Sequence, residues 1–204
     1  MVYTGFVNSE QGPVKVEATD EGVTAIAFLN VDEAERFPPV GPFIIGDKSE
    51  VATYSGSALK TIQKQTNEEQ CNFHDDEVYA HPRSRTNALT DEACRQLKAY
   101  FDGQLQKFDL PLTPKGTVFQ NQVWQALQQV KYGETASYLD IAKAIGNPKA
   151  VRAVGMANGR NPIAIVVPCH RIIGSNKTLT GYAGGLPRKQ YLLNLEGAQG
   201  VLWS

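Results

Sequence analysis

Residues 138–155 read Tyr138-Leu-Asp-Ile-Ala-Lys-Ala-Ile-Gly-Asn-Pro-Lys-Ala-Val-Arg-Ala-Val-Gly155. Apolar residues recur at helical spacing on both sides of Gly146-Asn-Pro148, and a proline there cannot continue a helix interior. The stretch predicts two short helices, Tyr138–Ile145 and Lys149–Ala157, joined by a turn that contains glycine. That is a helix-turn-helix pattern. The turn before it, Tyr132-Gly-Glu-Thr-Ala-Ser137, offers several capping residues. The second helix is expected to carry Lys149 and Arg152 among small residues, so its backbone can approach a surface closely.

Moving outward, Thr117–Val130 is amphipathic, with Phe119, Val123, Trp124 and Leu127 on one face. Downstream lies Ile163-Ala-Ile-Val-Val-Pro-Cys-His-Arg-Ile-Ile-Gly174. Its apolar run predicts a buried strand that Pro168 terminates, which places Cys169 where the sheet stops. Positive charge from His170 and Arg171 is expected to lower the thiol pKa. Thiolate chemistry also needs a base and a group that orients the base. His170 supplies the first, and residues 115–204 offer only Glu134, Asp140 and Glu196 for the second. The plainer reading of the pair is an inert buried cysteine beside a surface histidine. Thr180-Gly-Tyr-Ala-Gly-Gly185 follows as a flexible loop able to fold over a flat ligand, with Tyr182 as a wall. Leu192-Leu-Asn-Leu-Glu-Gly197 reads as a helix that bears Glu196.

The first half has a different grammar. Val14–Ala18 and Val23–Leu29 predict a hairpin, with Gly22 free to adopt positive φ. Phe37-Pro-Pro-Val-Gly-Pro42 breaks regular structure, and 66–76 is polar enough for a loop. A helix is expected over Thr90–Phe101, capped at Thr90 and stopped by Gly103. Leu110-Pro-Leu-Thr-Pro-Lys-Gly116 reads as a linker, and the charge balance changes there. Residues 1–114 hold 10 Lys/Arg and 18 Asp/Glu, a balance of −8, whereas 115–204 hold 10 and 3, a balance of +7. A basic half suggests a polyanion partner. The expected class is α+β: an N-terminal α/β domain with an antiparallel sheet over 1–112, and a mainly helical domain over 113–204.

Residues 115–204 resemble the C-terminal domain of the O6-alkylguanine-DNA alkyltransferases. The motifs that carry the resemblance are Val167-Pro-Cys-His-Arg171, Gly133-Glu-Thr-Ala-Ser-Tyr138, Gly146–Gly155, Asn161-Pro162, Gly181-Tyr-Ala-Gly-Gly185 and Leu193-Asn-Leu-Glu-Gly197, in family order and spacing. The resemblance implies an irreversible transfer of the alkyl group of O6-alkylguanine to Cys169, with O4-alkylthymine as a further candidate substrate. It makes His170 the base, acting through a bridging water, and Glu196 the group that orients it. Asn161 would hold the active-site turn. Tyr138 would crowd the target phosphate, and Arg152 would fill the space left by the flipped base. The backbone around Ile172 and the loop Tyr182, Ala183 and Gly184 would read the guanine, with the Ala183 amide on O6. Ser137 and Lys149 join Arg152 as expected DNA contacts. Where some members have serine this chain has Ala183, and Asn158 and Gly159 replace bulkier residues of animal relatives.

Other readings stand beside this one: a non-catalytic lesion-binding relative, or a Cys-His-Glu hydrolase that turns over. The first has no need of Cys169. Cys71, His74, His81 and Cys94 include a C-x2-H spacing that zinc can accept, but they do not match the family's zinc positions, so neither metal nor cofactor is expected. Three widely spaced cysteines argue against a disulfide framework. No apolar run reaches the roughly 20 residues of a membrane span. The expectation is a cytoplasmic monomer acting on double-stranded DNA.

Overall fold

Buried valines alternate with half-buried charges along Val14–Ala18 (β2), so one face enters the core while Lys15 and Glu17 pair at 3.0 Å on the other. Tyr3–Val7 (β1) and Val23–Phe28 (β3) flank β2 antiparallel, in the order β1-β2-β3, with Val16 opposite Gly5 and Ile26. The β2–β3 hairpin agrees with the sequence expectation, and β1 is a strand beyond it. This computed structural model describes residues 1–29 and 85–198, and between them only the backbone of three short antiparallel strands: Phe43–Ile44 (β4), Val51–Ser55 (β5) and Ala58–Ile62 (β6). The expected break at 37–42 and the polar loop at 66–76 lie outside the described residues.

Helix α1 (Ala88–Phe101) starts earlier than expected. Asn87, not Thr90, is the cap: its Oδ1 accepts from the Thr90 amide at 2.9 Å, and Thr90 Oγ1 accepts from the Asn87 amide at 2.8 Å. The helix lies across β1 closely enough that a Cβ on Gly5 would sit 2.9 Å from Cys94 Sγ. Cys94, Leu97 and Tyr100 face inward.

In the second half α2 (Val118–Leu127) has a Thr117/Gln120 capping box. After it come β7 (Ala136–Ser137), α3 (Tyr138–Ala144), α4 (Val151–Gly159), a 3₁₀ turn at Cys169–Arg171, β8 (Ile172–Ile173) and α5 (Leu186–Leu195). Trp124 Nε1 donates to the Ala157 carbonyl at 2.9 Å, which ties α2 to α4. Strands β7 and β8 pair parallel, Ala136 opposite Ile172. Lys149 does not belong to the second helix. The Ala150 amide bonds the Asn147 carbonyl at 3.0 Å, closing a turn over Pro148 and Lys149 before the helix begins.

The apolar run at 163–167 is not a strand. Only Ile163 bridges to β3; the chain then folds into a turn, with Val167 bonding back to Ile163 at 3.0 Å and Ile165 at φ 72°. The run is apolar because the turn is buried, with Ile163 and Ile165 fully enclosed. Apolarity alone does not separate these cases.

The exposed edge of β3 is covered by the second half. Val23 exchanges backbone bonds with Pro111 and Thr113, and Ile26 with Pro162 and Ala164, all at 2.8–2.9 Å. Val14, Val16, Ile26 and Leu97 share one buried cluster with Trp124, Leu127, Ile165 and Leu192. Gly22 is needed for this junction rather than for positive φ, which it does not adopt. A Cβ there would lie 2.7 Å from the Pro111 carbonyl oxygen. Gly22→Ala is expected to cost about 1–3 kcal/mol of stability, read by urea denaturation, because backbone must shift to admit the methyl.

Candidate active site

The buried turn exists because Asn161 organises it. Its Nδ2 donates to the Val167 carbonyl at 2.8 Å, the Ile163 carbonyl at 3.3 Å and Cys169 Sγ at 3.1 Å, while Oδ1 accepts from the Ile163 amide at 3.0 Å. One amide therefore shapes the turn and touches the thiol. From α4, Asn158 Nδ2 reaches the Cys169 carbonyl at 3.4 Å.

Cys169 and His170 are both buried. Contrary to the sequence expectation, burial pushes the Cys169 thiol pKa up, and the Asn161 hydrogen bond and the Lys189 charge only partly oppose this. Arg171 does not activate the thiol. Its Nε and Nη2 donate to Glu196 Oε2 and Oε1 at 2.8 and 2.9 Å, and Nη1 bonds the Val130 carbonyl at 2.6 Å.

Glu196 is the hub of the site. Oε1 also meets His170 Nε2 at 2.8 Å and the Tyr100 hydroxyl at 2.7 Å, and Oε2 accepts from the Gly133 amide at 3.4 Å. Burial alone would raise its pKa, but His170 and Arg171 bring it down to about 2. His170 is lowered, because burial together with the Arg171 and Lys189 charges outweighs the carboxylate. The resting pair is thus carboxylate and neutral imidazole. The carboxylate can only accept, so His170 carries its proton on Nε2, and Nδ1 is a bare acceptor. Nδ1 is buried without a hydrogen-bond partner, as are Tyr182 Oη and Asn158 Oδ1.

Lys189 lies outside the residues expected from the sequence motifs. It is fully buried; its Nζ donates to the Ile172 carbonyl and, at 2.9 Å, to the Thr180 carbonyl, and burial brings its pKa down to about 8. Its place three and four residues before the buried Leu192 and Leu193 was the available signal. The Thr180 hydroxyl in turn donates to Tyr138 Oη at 3.1 Å, joining the 180–185 loop to α3. Gly185, at φ 87°, turns that loop into α5.

The remaining expected residues fall as follows. The Ile172 amide is taken by the Cys169 carbonyl, and its own carbonyl keeps one lone pair beyond the Lys189 contact. No hydrogen bond engages the Ala183 amide among the described residues, and Ala183 is exposed. Gly184 lets the Tyr182 ring lie against the loop: a Cβ there would be 2.7 Å from Tyr182 Cε1. The Ser137 hydroxyl caps α3 by accepting from the Asp140 amide at 3.1 Å, and it donates to Asp140 Oδ2 at 2.6 Å. Asp140 is committed to that cap and Glu134 is exposed, so Glu196 is the carboxylate at the histidine. Arg152, on α4, and Lys149 are exposed, as are Lys143 and Arg160. Of the candidate zinc ligands, Cys94 is a core thiol pushed up to about 12, and Cys71, His74 and His81 lie outside the described residues.

This helix-turn-helix beside an enclosed Cys-His-Glu array has counterparts among known proteins. Residues 118–198 match the model of the 6-O-methylguanine DNA methyltransferase DNA-binding domain. A methylated-DNA–protein-cysteine methyltransferase of Methanosarcina acetivorans is 64% identical over 107 residues, 52% of this chain and 69% of that protein. The constitutive Bacillus subtilis protein of that name is 59% identical over 106 residues, 52% of this chain and 64% of that one. The crystal structure of Mycobacterium tuberculosis O6-methylguanine methyltransferase superposes with a TM-score of 0.67 at 36% identity, over 97% of this chain and 93% of that one. The same protein in complex with DNA gives 0.65 at 36% identity, over 94% and 91%. The chain belongs to the methylated-DNA–protein-cysteine methyltransferase family.

Glu196 holds the site together electrostatically, and its depressed pKa sets a sign. Its stabilising contribution is complete above the ordinary 4.5 and is lost as pH falls through about 2. Glu196→Gln leaves Arg171 buried without its counter-charge. It is expected to destabilise by about 3–5 kcal/mol at neutral pH and to flatten the acid dependence of stability, both read by urea denaturation.

Proposed function

We propose that this protein repairs DNA by moving the alkyl group of an O6-alkylguanine irreversibly onto Cys169. The observation that carries this reading is the bare, buried Nδ1 of His170 on the residue next to a protonated thiol. The thiol proton passes to Nδ1, directly or through one water, and Glu196 stabilises the imidazolium that forms. The thiolate attacks the alkyl carbon, so an S–C bond forms as the C–O6 bond breaks. The electron pair of that bond leaves with the guanine, which takes up one proton. The Ala183 amide is free to meet the charge on O6, and Tyr182 encloses the base.

An O6 substituent lies within the duplex, so the nucleotide must turn out of the stack at a cost of a few kcal/mol. Tyr138, at the start of α3, crowds the phosphate, and Arg152, exposed on α4, enters the gap. In this reading the helix pair sits in the minor groove, Lys149 adds charge to the phosphate contacts, and Ser137 contributes by capping α3. The protein acts as a monomer, and 113–204 form the DNA-binding, reactive domain.

A thioether does not hydrolyse, so the protein reacts once. A Cys-His-Glu hydrolase would pass through an acyl thioester and turn over. A lesion-binding relative has no use for the sulfur that the Asn161 amide contacts. With excess duplex containing O6-methylguanine, mass spectrometry of the intact protein is expected to show one methyl per chain, mapped to Cys169, and none on Cys169→Ser. Repeated turnover or no transfer contradicts the assignment.

Arg152→Ala separates base extrusion from chemistry. It is expected to react about 10–100-fold more slowly with modified duplex, the scale of a lost few kcal/mol of flipping support, and at an unchanged rate with free O6-benzylguanine. Equal losses on both substrates would place Arg152 in the chemical step instead.

A further inference from the structure

The reactive residues lie in the second half, yet the carboxylate behind them is also held from the first. Tyr100 sits in α1, fully buried, with its ring edge-on to Tyr132 and tilted against Phe108. Its hydroxyl donates to Glu196 Oε1 at 2.7 Å, the same oxygen that receives His170 Nε2–H at 2.8 Å and Arg171 Nη2 at 2.9 Å. Burial, with the adjacent Glu196 charge, pushes the Tyr100 pKa well above its ordinary value, so the phenol stays a donor.

We propose that Tyr100 is a positioning residue of the alkyl-transfer reaction: its hydroxyl competes with the His170 Nε2–H for Glu196 Oε1 and so sets how basic the imidazole is. This rests on the proposed alkyl transfer. A carboxylate oxygen has about two lone-pair directions, so three donors on Oε1 share its electron density. Each donor that draws on Oε1 weakens its pull on the histidine proton. With the Tyr100 donor gone, the carboxylate binds that proton more strongly, and Nδ1 becomes more basic. The other groups facing the carboxylate are fixed differently. Arg171 is doubly bonded to it, Gly133 donates to Oε2, and the Tyr132 hydroxyl is taken by the Leu195 carbonyl at 3.1 Å. The charge of Lys189 acts on His170 rather than on Glu196. Tyr100 is thus the neutral donor through which the first half tunes the base of the second.

Tyr100→Phe keeps the ring and removes only the donor. The pH–rate profile for alkyl transfer to Cys169 is expected to shift its acid limb to higher pH by about half a unit, on the scale of one weakened hydrogen bond. Its plateau should change by less than about threefold. The ¹³C-carboxyl titration of Glu196 is expected to move up from its low value. Tyr132→Phe removes a hydroxyl from the same aromatic cluster and should lower the melting temperature without moving either titration. If Tyr100→Phe loses stability while both titrations superpose on wild type, the residue is only structural and the inference fails. If wild type takes no methyl at all, the alkyl-transfer reading fails, and the Glu196 titration still tests the hydrogen bond.

Discussion

A single carboxylate buried among donors is the constraint on which this structure turns. Glu196 receives the guanidinium of Arg171, the imidazole of His170, the phenol of Tyr100 and the amide of Gly133. These groups come from the 3₁₀ turn, from α1 and from the turn after α2, so the acid at the end of α5 joins elements distant in sequence. An ion pair taken out of water is not intrinsically stabilising, because desolvation offsets the attraction. Its worth here is geometric. Arg171 keeps the carboxylate ionised, the carboxylate fixes which imidazole nitrogen holds the proton, and the other nitrogen is left bare. The arginine next to the reactive pair thus acts through Glu196 and His170 rather than on the sulfur directly.

A second constraint works on the sulfur itself. Burial raises the thiol pKa, which protects it at rest and makes a base necessary when substrate arrives. Asn161 reconciles these demands by bonding both the carbonyls of the buried turn and Sγ. Lys189 does related work on the opposite side, binding the Ile172 and Thr180 carbonyls, while Thr180 reaches the Tyr138 hydroxyl. The loop over the site, the helix that meets DNA in our reading, and the turn that bears the cysteine are therefore one hydrogen-bonded unit. Rigid support of this kind is what a positioned nucleophile requires.

The helix pair was legible because Gly146-Asn-Pro148 punctuates a clear 3.6-residue period, and Cys169, His170 and Glu196 because their motifs are specific. What failed did so for identifiable reasons. The apolar run before Pro168 resembles a strand since burial demands the same residues of a strand and of a buried turn, and only Asn161, outside the run, decides between them. Arg171 was read through its sequence neighbour Cys169, whereas its guanidinium points to a partner 25 residues away. Tyr100 is one aromatic of an amphipathic helix, and nothing local reveals that its hydroxyl meets an acid 96 residues on. Gly22 was assigned to a turn conformation when its absent side chain in fact admits the 110–113 segment. In each case a long-range contact set the role of a residue that local pattern had already explained in another way.

Glu196 holds His170 as the neutral tautomer, with its proton on Nε2 and a bare, buried Nδ1. The ¹⁵N chemical shifts of the His170 ring at neutral pH test it directly. One protonated nitrogen, Nε2, and one unprotonated nitrogen, Nδ1, are expected, with this pattern abolished in Glu196→Gln. A proton on Nδ1, or an imidazolium at neutral pH, would leave the thiol without its base and rule out this role for Glu196.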